Sequence, residues 1–116
     1  MLFSDYHVWI QPIHPDIVRL GLSEEMQKNL GKILHVDLPS VGSRCSEGEI
    51  LVIMESSKSA IEILSPVSGE VIDINQILIE DTAAINSSPE EDGWLVVVRL
   101  NEALEIGKFL KKDSLN

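Results

Sequence analysis

Short runs of β-branched and aliphatic residues, each closed off by glycine or proline, recur through most of this chain. Ile33-Leu34-His35-Val36-Asp37-Leu38 ends at Pro39, Ile50 to Met54 follows Gly48, Val71 to Ile74 follows Pro66 and Gly69, and Trp94 to Leu100 follows Gly93. Runs of this length, spaced by turn residues, suit antiparallel strands in a small sandwich or barrel, so the expected fold class is mostly β. With 116 residues there is room for one compact domain spanning 1–116. Nineteen acidic side chains against nine basic ones leave a formal charge of −10, which argues against nucleic acid or an anionic membrane surface and in favour of partners with basic faces. A single cysteine, Cys45, permits no internal disulfide, and His7, His14 and His35 lack the spacing of a zinc site. The N-terminus has no basic, apolar leader, and runs such as Ile50–Met54 fall far short of the ~20 residues of a membrane span. The expectation is a soluble, cytoplasmic monomer.

Two helices are expected among the strands. Ser23 is a good N-cap, Glu24 and Glu25 put negative charge in the first turn, Met26 and Leu30 form an apolar stripe, and Gly31 suits the stop. A second helix is expected from about Glu102 to Lys111, with Ala103, Leu104, Phe109 and Leu110 turned inward. Aligning the glycines exposes an internal repeat. Gly31 to Asp37 resembles Gly69 to Asn75, and Gly48 to Ile53 resembles Gly93 to Val98, in the same order within each half. Two such copies, each too small to bury both faces, would share one core about a pseudo-twofold.

The segment that bears on chemistry is Val52-Ile53-Met54-Glu55-Ser56-Ser57-Lys58-Ser59-Ala60-Ile61-Glu62-Ile63. Two apolar strands flank small polar residues around one lysine, which is how a tight hairpin presents a single amine at its tip. No other basic residue lies between Arg44 and Arg99. Glu55 and Glu62 favour an ammonium over a free amine, which argues against Schiff-base catalysis. An exposed lysine of this kind suits the attachment of a covalent group, although spacing alone favours a plain solvated turn residue, since loop lysines are common on surfaces.

Glu55-Ser56-Ser57-Lys58-Ser59-Ala60, followed by Ser65-Pro66-Val67-Ser68-Gly69-Glu70-Val71, resembles the lipoyl-attachment region of the glycine cleavage system H-protein family. The resemblance extends through His7-Val8-Trp9-Ile10, Gly21-Leu22-Ser23, Val36 to Gly42, Val71 to Asn75, Ile85-Asn86-Ser87-Ser88-Pro89 and Asp92-Gly93-Trp94-Leu95, covering nearly the whole chain. It implies a hammerhead-like β-sandwich of the biotinyl/lipoyl type with short flanking helices. It also implies a non-catalytic carrier with lipoate attached to Lys58, set in the context of Glu55, Ser57, Ser59, Ala60 and Glu62. Biotin carriers usually place their lysine between methionines, and Ser57-Lys58-Ser59 does not. The implied partners are the pyridoxal-phosphate glycine decarboxylase, the aminomethyltransferase and dihydrolipoamide dehydrogenase, together with a lipoate ligase or octanoyltransferase.

Several positions depart from the family pattern. Members usually read His-Glu-Trp where this chain has His7-Val8-Trp9, so an acid resembling a holding group for the loaded arm is missing. Glu90-Glu91 follows Pro89 where an aromatic residue is common, and the C-terminal helical region is abbreviated. The Val8 substitution keeps open an H-like lipoyl protein outside glycine cleavage, either a lipoate or octanoate relay to 2-oxoacid dehydrogenases or a redox or adaptor module. An unmodified interaction module is a third possibility. Trp9, Trp94, His7 and His35 read as structural, with His35 on the strand face opposite Leu34, and Cys45 as a spectator thiol in a polar turn.

Overall fold

A computed structural model describes residues 1–103 and 110–111. The described residues form ten strands: β1 (Leu2–Phe3), β2 (Val8–His14), β3 (Ile17–Leu22), β4 (Ile33–Asp37), β5 (Arg44–Cys45), β6 (Ile50–Ser56), β7 (Ala60–Leu64), β8 (Gly69–Ile74), β9 (Val96–Leu100) and β10 (Leu110–Lys111). They form a seven-stranded sheet in the order β10-β1-β2-β3-β9-β8-β5 and a three-stranded sheet in the order β4-β6-β7, all antiparallel. The two sheets stay open, so the architecture is a sandwich and not a closed barrel. Alternate residues of both point into a shared core that includes Ile10, Leu20, Val71, Val96 and Val98 from one sheet and Ile33, Val36, Val52, Met54 and Ile63 from the other.

The β2–β3 hairpin adds two strands to the runs expected from sequence. Pro12 and Gly21 interrupt its apolar pattern, and the two-residue turn Pro15-Asp16 joins the strands. Gly21 is there because Trp9 lies across it from the neighbouring strand, where any Cβ would collide with the indole. The indole nitrogen in turn donates to the Pro89 carbonyl at 2.8 Å, so Trp9 is a fully buried core aromatic, as expected.

Helix α1 (Glu24–Leu30) forms where expected, with the Ser23 hydroxyl accepting from the Met26 amide at 3.2 Å and Leu30 buried. Two further short helices, α2 (Ile77–Glu80) and α3 (Ala83–Ser87), were not anticipated. Each is a single turn, too short for a periodic apolar stripe to register. The helix expected over Glu102–Lys111 is not borne out at its described ends: Glu102 lies in a bend, and Leu110–Lys111 forms β10 against β1. Its central residues, 104–109, lie outside those described. None of the described helices is long and apolar enough to cross a membrane.

The repeat is visible in the pairing. β4 pairs with β6 in one sheet and β8 with β9 in the other, each antiparallel. The register of β4 slips between Ile33 and His35, and that of β8 slips between Val71 and Asp73. These are corresponding places in the two copies, since Ile33 aligns with Val71 and His35 with Asp73. The slip also corrects one expectation. A bulge sets two successive residues to the same side, so Leu34 and His35 are both exposed and do not alternate.

Candidate functional site

β6 and β7 form a hairpin whose tip is Ser57-Lys58-Ser59. The Ser56 hydroxyl organises the turn, accepting from the Lys58 amide at 3.2 Å and the Ser59 amide at 3.1 Å, while the Ser56 amide donates to the Ser59 carbonyl at 2.8 Å. The amides of Ser56, Lys58 and Ser59 are therefore satisfied within the hairpin end, which needs no bulky side chain to hold its shape. Ser57, Lys58, Ser59 and Ala60 are all exposed, which makes a narrow tip with one amine.

The tip leans on the corner between α1 and β4. The Ser57 amide donates to the Lys32 carbonyl at 2.9 Å, and the Lys58 ammonium reaches the Asn29 carbonyl at 3.4 Å. Gly31 makes this approach possible. Its φ of 76° belongs to the region glycine tolerates best, and a Cβ there would stand 3.1 Å from the Ser57 hydroxyl and 3.6 Å from Lys58 Cε. Lys58 is thus exposed but rests on a glycine shelf at the C-terminal end of a helix, where a cation is favoured.

Glu55 and Glu62, expected near the lysine, both lie on the solvent face of the three-stranded sheet. Glu55 pairs across to Ala60 and His35, and Glu62 pairs across to Ile53. No hydrogen bond or ion pair joins either acid to Lys58. The hairpin therefore brings Ser57, Lys58, Ser59 and Ala60 together at its end and sets the two acids on its flank.

Two residues that sequence reasoning did not single out, and one it marked only as a departure, hold this corner in place. The Asn86 side chain accepts from the Ile33 amide at 2.7 Å and donates to the Ile33 carbonyl at 3.0 Å, acting as a one-residue strand on the free edge of β4. The Thr82 hydroxyl donates to the same carbonyl at 2.9 Å. Glu90, flagged above only as a departure, accepts from the Glu24 amide at 2.9 Å and so caps the first turn of α1. The other departure, Val8, is fully buried in the core opposite Leu22. Cys45 is buried on β5 with its thiol 3.7 Å from the Val67 carbonyl, and does not lie in an open polar turn.

A profile of the glycine cleavage H-protein family matches residues 1–116. A glycine cleavage system H-like protein of Chlamydia pneumoniae is 71% identical over 102 residues, covering 88% of this chain and 89% of the relative. A glycine cleavage system H protein of Parvibaculum lavamentivorans is 37% identical over 112 residues, covering 97% and 89%. The crystal structure of a glycine cleavage system H protein from Mycobacterium marinum superimposes with a TM-score of 0.85 at 28% identity, covering 97% of this chain and 91% of that one. With its two-sheet fold and its self-contained hairpin tip, the chain belongs to the glycine cleavage H-protein family of lipoyl carriers.

Proposed function

We propose that Lys58 carries lipoate in amide linkage. Through that arm the chain would pass aminomethyl groups and reducing equivalents among a pyridoxal-phosphate glycine decarboxylase, an aminomethyltransferase and dihydrolipoamide dehydrogenase. The observation that carries this reading is the solitary amine on a narrow, self-bonded tip, within a chain whose family carries such arms. The chain's own part is non-catalytic. Ser56 fixes the turn, Ser57 and Gly31 seat it on the α1–β4 corner, and the small residues at 57, 59 and 60 leave the width of a single side chain for a partner's channel. Acylation leaves one N–H on the lysine nitrogen, which can still donate to the Asn29 carbonyl. A lipoate ligase or octanoyltransferase would load it.

A second reading has an observation of its own. Val8 packs at 0% exposure among Leu22 and its core neighbours, so the place of the family acid is filled by an apolar side chain. A carrier without that acid serves a relay of lipoate or octanoate to 2-oxoacid dehydrogenases, or a redox or adaptor role, as well as it serves glycine breakdown. The intact mass of the protein from its native host tests the shared part. A lipoyl or octanoyl increment present in the natural chain and lost in Lys58→Arg is expected, and an unmodified natural chain refutes both readings. Glycine–bicarbonate exchange with a purified decarboxylase then separates them. Exchange supports glycine cleavage; none, where an ordinary H protein gives exchange, leaves the relay or redox reading.

A further inference from the structure

The solvent face of the three-stranded sheet is partly apolar. Ile53 lies in the middle strand at 40% exposure and Ile50, one step further from the tip, at 49%. Cross-strand pairing places Asp37 of β4 on one side of Ile53 and Glu62 of β7 on the other, so the row reads acid, isoleucine, acid. The next row toward the tip is His35, Glu55 and Ala60, and two residues beyond Ala60 is Lys58. Strands β4, β6 and β7 contain no lysine or arginine at all.

Resting on the reading that Lys58 is acylated, we infer that the row Asp37–Ile53–Glu62 is the docking surface for the acylating enzyme. The complementary surface would be an apolar centre rimmed by lysine or arginine side chains. Two arguments select this occupant. The charge of the face is all of one sign, so a cationic rim gains attraction from both flanks while isoleucine supplies the desolvated centre. Distance selects among the enzymes. The reaction at the bare lysine joins an acyl carbonyl to the side-chain nitrogen. It breaks the bond from that carbonyl to its activating adenylate or carrier thiol, and the nitrogen gives up two protons. The active site must therefore come flush with the hairpin, within one side-chain length of its backbone. From there an enzyme body overlaps the sheet face four to five residues down, at a rise of roughly 3.3 Å per residue. Enzymes that act at the far end of a loaded arm work a full arm's length away and need not cover that face.

Initial rates of acylation by the purified ligase or transferase of the same host, measured against carrier concentration, test this. The double variant Asp37→Lys/Glu62→Lys is expected to raise KM for the carrier about tenfold with kcat nearly unchanged, and to weaken the dependence of KM on salt. Ile53→Thr, which keeps a β-branched residue on the strand, is expected to raise KM without altering the salt dependence. Asp16→Lys/Glu91→Lys makes the same change in net charge away from the face and is expected to leave KM near that of the natural chain. Thermal melts confirm that each variant is folded. Equal KM shifts in the two double variants would reduce the effect to overall charge and overturn the docking surface, as would a natural KM in both face variants or a loss confined to kcat. A natural chain that is never acylated removes the reading of Lys58 and this surface with it, whereas normal acylation of all variants removes the surface alone.

Discussion

Replacing Asn86 tests how the attachment corner is held. Its side chain meets the free edge of β4 with an acceptor 2.7 Å from the Ile33 amide and a donor 3.0 Å from the Ile33 carbonyl. In Asn86→Ala the carbonyl keeps the Thr82 hydroxyl, but the amide of Ile33, a residue with no exposed surface, loses the partner recorded for it. An unsatisfied buried donor costs about 1–3 kcal/mol and each lost neutral hydrogen bond about 1 kcal/mol, so the variant should lose about 2–4 kcal/mol. For a chain of this size that corresponds to a fall in Tm of roughly 10–15 °C. Urea unfolding should show the midpoint falling with an unchanged slope. Asn86→Asp sharpens the test. It retains an acceptor for the Ile33 amide but sets a carboxylate oxygen against the Ile33 carbonyl, so it should be clearly less stable than the natural chain at neutral pH. A loss below about 0.5 kcal/mol in the alanine variant, or an aspartate variant as stable as asparagine, would refute the edge-pairing argument.

Other outcomes follow from the same geometry. Trp9→Phe removes the donor that meets the Pro89 carbonyl and should cost about 1–3 kcal/mol in a denaturant titration. Val8→Glu puts a carboxylate among apolar neighbours and should lower stability by about 3–5 kcal/mol, read as a large drop in Tm, before any effect on a loaded arm is measured. Gly31→Ala should cost about 1–3 kcal/mol, because φ 76° with ψ −148° is a conformation essentially confined to glycine and the added Cβ presses on Ser57, and Gly31→Asn should be no milder, since asparagine tolerates positive φ only near the left-handed helical region; thermal melts read both. Cys45 should react with an aromatic disulfide reagent orders of magnitude more slowly in the native protein than in denaturant, because it is buried beside the Val67 carbonyl.

Most of the sandwich is legible in the primary structure because its strands are β-branched runs between turn residues, and β4, β6, β8 and β9 fall on the runs read that way. The β2–β3 hairpin is obscured by Pro12 and Gly21, residues whose purpose depends on a neighbour: Gly21 makes sense only once Trp9 lies over it. Helices α2 and α3 are one turn each and carry no periodicity to read. At the site, Lys58 and its small neighbours stand out as a local pattern. Asn86, Glu90 and the Asn29 carbonyl do not, because each acts across a gap of 29 to 66 residues that no spacing rule spans. His35 is misplaced for a different reason, since a bulge shifts the face of every residue that follows it.

The Ser56-centred turn has a consequence for how partners tell this chain from others. Its backbone is closed on itself by hydrogen bonds from residues 56, 58 and 59, so it reaches every enzyme already in one shape and loses little freedom on contact. A preformed knob of serine, lysine and serine offers few side chains by which one enzyme could be preferred over the next. Selection among partners has to be written on the surfaces behind the knob. On the proposed reading the turn is a common key blade, and the flanking sheet face is where one lock would differ from another.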